Sequence, residues 1–107
     1  MYRTIAVAAC VAASLSFAGA IAAPAAKPTD PQIAHIAYTA DQLDIEGAKQ
    51  ALDKSKNQDV RAFAQRMVVD HTAVNDQALA LVKKLNVTPE DNPTSQSLTQ
   101  AADAERK

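Results

Sequence analysis

The chain has 107 residues, enough for one small domain at most. Lys plus Arg number 11 and Asp plus Glu 12, for a formal net charge of −1. The signs alternate and no basic patch is interleaved with aromatics, which argues against nucleic acid as a partner. Aromatic residues make up 4% and Trp is absent, which argues against a stacking platform for sugars or bases.

The first segment reads as a secretory signal peptide over residues 1–22. Met1-Tyr2-Arg3 is a short positive start, and Ile5 to Ile21 is almost wholly apolar. Ala18-Gly19-Ala20 and Ala20-Ile21-Ala22 are both small-x-small processing patterns, so cleavage is expected after Ala20 or Ala22. The competing reading, a membrane anchor, lacks a basic stop-transfer flank. Val7-Ala8-Ala9-Cys10 resembles a lipoprotein box, but too few apolar residues precede Cys10. The processed chain then carries no cysteine, hence no disulfide and no thiolate metal site. The expected address is the periplasm or outer cell envelope, and the partners that address allows are the envelope or a membrane surface.

Residues 23–30 read as a small-residue linker. Thr29-Asp30-Pro31 reads as a helix start, with Asp30 as the cap and Pro31 at the first helical position. The first helix is expected from about Pro31 to about Lys54. Helical spacing gathers Ile33, Ala37, Ala40, Gly47, Ala48 and Ala51 on one face, a small-residue surface that lets a neighbouring helix approach closely. Asp44 falls near the centre of that face; Glu46 and His35 point away, and His35 reads as a solvated surface histidine.

Ser55-Lys56-Asn57-Gln58 reads as a tight turn, with Ser55 or Asn57 capping the second helix. That helix reaches to about Asn86. Val60, Ala64, Met67, His71, Val74, Ala78, Leu81 and Leu85 step by four and three without a break, a heptad-like seam whose one polar member is His71. Lys83 and Lys84 suit its last turn, and Asn86 its close. So short a turn between long helices predicts an antiparallel hairpin. After a loop through Pro93, a third helix is expected from about Thr94.

Two helices and a short third one bury little. Either residues 31–107 are the N-terminal part of a longer four-helix bundle, or two chains pair as hairpins into a homodimer. The unfinished third helix favours the first remedy.

Asp44 and His71 are the strongly polar residues near the middle of the two buried faces. Asp44 lies about twelve residues before the turn and His71 about fifteen after it, so they share a height to within about one turn. A carboxylate and an imidazole facing a bundle interior are ligands for a transition metal such as Fe, Cu or Zn. Met67, one turn before His71, would bias such a site toward copper, although Met also fills helix seams. Asp70 is a solvent-edge residue or, at most, an acceptor behind His71. The alternative is a structural Asp–His pair that fixes helix register. Both readings stand at this point. Val68 stands three before His71, so helix two lacks the Glu-x-x-His pair of di-iron bundles. No Ser-His-Asp or Cys-His arrangement and no glycine-rich phosphate loop is present, so no reaction is named.

The run from Val60 to Thr72, ending Met67-Val68-Val69-Asp70-His71-Thr72, resembles the signature of the ferritin-like family called domain of unknown function 4142. Asp44-Ile45-Glu46-Gly47-Ala48-Lys49-Gln50-Ala51 is similar to that family's first-helix segment, with Asp44 where the family usually has Glu. The likeness covers about Pro31 to Pro89. It implies an exported bacterial protein and an all-α fold, an antiparallel hairpin forming the first half of a ferritin-like four-helix bundle. It implies no settled activity.

Overall fold

The computed structural model describes residues 26–107. The predicted signal peptide and Cys10 lie outside the described residues. Three helices and no strand appear among the described residues: α1 Asp30–Lys54, α2 Gln58–Lys84 and α3 Pro93–Glu105. None of them is long and apolar enough to cross a membrane.

Local chemistry sets each boundary. The cap of α1 is Thr29, not Asp30. Thr29 Oγ1 accepts from the Gln32 amide and Gln32 Oε1 from the Thr29 amide, a reciprocal capping box. Asp30 instead occupies the first turn, where a carboxylate favours the helix dipole. Asn57 opens α2, its Oδ1 accepting from Asp59 and Val60 at 2.9 and 3.2 Å. Asn86 ends that helix in the left-handed region, with φ 54°. Val87 then donates to the Val82 carbonyl and Asn86 to the Lys83 carbonyl, a Schellman closure. Asn92 caps α3 by accepting from the Ser95 amide at 3.0 Å.

α2 runs antiparallel to α1, as the short turn predicts. Arg61 near the start of α2 donates to the Leu52 and Ser55 carbonyls that end α1, and His71 meets Asp41 halfway along. α3 runs parallel to α1. At one end His35 meets Ser95 at 2.8 Å; at the other, Arg106 reaches Glu46 at 2.7 Å. α1 touches both neighbours, and α2 and α3 do not touch each other. The three helices therefore form one layer with α1 in the middle.

The packed stripe of α1 is rotated from the expected small-residue face. Ile45 and Ala48 are buried, whereas Ile33 is half exposed. A methyl group placed on Gly47 would meet nothing within 4 Å, so no described residue makes the close approach there that the small-residue face predicted. The large Ile45 side chain is what α1 turns inward. Among the described residues the buried apolar side chains are Ile45, Ala48 and Ala64. Val60, Val74, Leu81 and Leu85 of the predicted seam, with Phe63 beside them, remain exposed. The seam is divided: Ala64 packs inward and His71 meets α1, while its large aliphatic members form part of an open apolar surface.

Candidate metal centre

α1 and α2 bring three ligand-type side chains together at mid-height. Asp41 and Asp44 stand three residues apart on α1, so they lie on neighbouring ridges of one face. His71 projects from α2 between them. Its Nδ1 lies 2.5 Å from Asp41 Oδ1 and 3.7 Å from Asp44 Oδ2. A carboxylate only accepts, so the imidazole N–H donates to Asp41. One ligand atom from each of the three residues falls within a 4.8 Å spread.

The environment is graded. Asp41 and His71 are partly buried, with side-chain exposures of 18% and 26%, while Asp44 is open at 52%. Asp44 also lines the apolar groove that runs toward the turn, with Leu43, Gly47, Phe63, Ala64 and Met67; its volume is about 270 Å³. The cluster is thus a polar island in the middle of a greasy surface.

The sequence-predicted pair Asp44 and His71 is brought together, at a longer distance than the one His71 keeps with Asp41. Asp41 is the member sequence reasoning missed. The signal available was the Asp41-x-x-Asp44 spacing, which sets two carboxylates on one helical face opposite a histidine. Met67 lines the apolar groove in which Asp44 also stands. Asp70 is exposed, and the hydrogen bond of His71 goes to Asp41 instead.

The second histidine departs from expectation. His35 is not solvated but partly buried, its Nδ1 2.8 Å from Ser95 Oγ and 3.3 Å from Thr39 Oγ1. Ser95 is 2% exposed and also receives the Asn92 side-chain amide at 3.1 Å. The bond to α3 explains the change, because the face carrying His35 is covered by a helix whose position the sequence left open. Nearby, Asp91 has its pKa lowered, chiefly by the Gln96 side chain and then by the Asn92 amide, which both donate to it.

The family model for Domain of unknown function (DUF4142) matches residues 16–107. The chain belongs to that family. No curated protein and no solved structure matches it. Within this DUF4142 chain the match spans all three helices, so Asp41, Asp44 and His71 all lie inside the family domain.

Proposed function

We propose that this chain is an exported helical-bundle protein of the periplasm or cell envelope, ferritin-like in architecture, that holds a transition metal at Asp41, Asp44 and His71. The observation that carries the reading is the convergence of two carboxylates and one imidazole within 4.8 Å. Neighbouring ligand atoms of an ion bound at about 2.0–2.2 Å stand roughly 3.0–3.5 Å apart, so His71 and Asp41 open from their 2.5 Å contact while exposed Asp44 closes in. The cation takes the place of the proton that His71 shares with Asp41. Two carboxylates and one imidazole suit Zn(II), Fe(II) or Mn(II). Three protein ligands leave coordination positions open, which fits storage, scavenging or stress protection at the envelope.

The test is metal content after purification from cells grown with added iron, zinc or copper. Wild type is expected to retain about one ion per chain, and His71→Ala to lose it. Equal metal in both proteins overturns the reading.

A second reading is supported by the 2.5 Å His71–Asp41 contact, which is already a complete charge-assisted hydrogen bond. In that reading the pair only sets the register of α1 and α2. His71→Leu then leaves the fold intact or firmer, and metal leaves the melting temperature unchanged.

A further inference from the structure

The α1–α2 pair carries a second groove on the flank opposite the apolar one. Tyr38, Gln42 and Lys49 of α1 line it with Thr72, Asn75 and Asp76 of α2, and the two grooves share no lining residue. Tyr38 and Gly47 are nine residues apart on α1, which is about 180° around a helix. A second layer that closes the apolar face therefore leaves the polar groove open.

This groove holds unused hydrogen-bonding groups and charge. Asn75 lies at its floor, 3% exposed, and neither its amide nitrogen nor its oxygen has a partner. Folded proteins pair nearly all such groups, so this amide calls for a partner from outside the described residues. Lys49 and Asp76 are exposed and join no ion pair among the described residues. The groove volume is about 230 Å³, several times the ~30 Å³ share of one water, so it takes more than a single solvent molecule.

These three groups define a ligand. A primary amide sets donors beside an acceptor, the complement of the C=O and N–H of a peptide unit. Asp76 takes a cation and Lys49 an anion, so the ligand has a positive end, an amide and a negative end. The spacing sets its length. Counted from the His71–Asp41 contact, Asp76 is five residues on along α2 and Lys49 eight residues on along α1. The helices are antiparallel, so the two positions lie thirteen residues, about 20 Å, apart along the pair. The lysine stem covers about 6 Å of that, and the two ion-pair contacts about 6 Å together. About 8 Å remains, the span of two or three extended residues at ~3.5 Å each.

We infer that this groove binds a short free peptide of two or three residues. Its ammonium group sits at Asp76, its first peptide unit on the neighbouring Asn75 amide, and its carboxylate toward Lys49. Asn75 meets the ligand by turning its side chain up from the floor, which exchanges an unpaired burial for a paired one. The site shares no residue with the Asp41/Asp44/His71 cluster and needs no metal.

The test is calorimetric titration with trialanine, in chelator, on the dialysed chain purified as the cell processes it. Wild type is expected to bind one trialanine per chain. Asn75→Leu replaces an unpaired amide with an apolar group of similar size, so it stays folded. It is expected to bind trialanine at least tenfold more weakly, as is Asp76→Ala. Acetylated trialanine amide, which lacks both end charges, and free alanine, which lacks the peptide unit, should each bind wild type at least tenfold more weakly than trialanine. No binding of trialanine by wild type overturns the inference. Equal binding by Asn75→Leu, by Asp76→Ala, or of either control compound overturns it as well.

Discussion

His71 and Asp41 are joined at 2.5 Å across the α1–α2 seam, at the mid-height of both helices. Asp44, one turn along from Asp41, stands 3.7 Å from the same nitrogen and makes no hydrogen bond to it. The two aspartates therefore differ in what their loss costs. In the metal-free chain Asp41→Ala is expected to lower stability by about 1–2 kcal/mol, because it removes a charge-assisted bond and leaves an imidazole N–H unpaired. Asp44→Ala is expected to change it by less than ~0.5 kcal/mol. Urea titration without metal measures both. A larger loss for Asp44 would show that the cluster is arranged differently in solution.

The polar lock between α1 and α3 gives a second expectation. Asn92 caps α3, donates to the Gln32 and Glu90 carbonyls and supports Ser95. Asn92→Ala is expected to cost about 1–2 kcal/mol through the cap alone. Hydrogen exchange should then quicken over 93–105 while the middle of α2 keeps its protection. Uniform quickening across all three helices would contradict the layered arrangement.

Much of this was readable from residue order, and the failures have physical causes. The α1–α2 hairpin follows from two long periodic runs and the short break between them, and both are local signals. The Asp44–His71 meeting follows from counting outward from that break. Asp41 was missed because helical spacing placed the packed face on the small residues around Gly47. The choice between a small-residue face and one centred on Ile45 depends on which side chains α2 offers in return. His35 was misjudged for a similar reason: the partner that covers it, Ser95, lies sixty residues away on a helix whose direction no local pattern specifies.

Asn75 supplies a third expectation. It is 3% exposed in the α1–α2 seam, and neither its amide nitrogen nor its oxygen has a hydrogen-bond partner. An unpaired buried amide costs about 1–3 kcal/mol, so Asn75→Leu is expected to raise stability by about that much. Thermal unfolding measures it. A lower midpoint would mean that the polar groove beside it, where Gln42, Thr72 and Asp76 also gather, holds a bound molecule that satisfies the amide.

Acid should loosen the start of α3. The Asp91 carboxylate is held below its ordinary value of 3.8 by the Gln96 side chain and the Asn92 amide. A lowered folded-state value means that the contribution is present above the unfolded value and is lost as pH falls through the folded one. Between about pH 5 and pH 2, Asp91→Asn should therefore show a smaller loss of stability than wild type. Parallel curves for the two proteins would contradict the assignment.

Because α2 and α3 each lean on α1 and not on each other, the three described helices have two separable seams rather than one indivisible centre. The α1–α3 seam is shorter and largely polar, built from His35, Ser95, Gln50 and the Arg106–Glu46 pair. It can peel away while the longer pair stays zipped. Melting would then begin at α3 and proceed in two stages, with the His71 region among the last to let go.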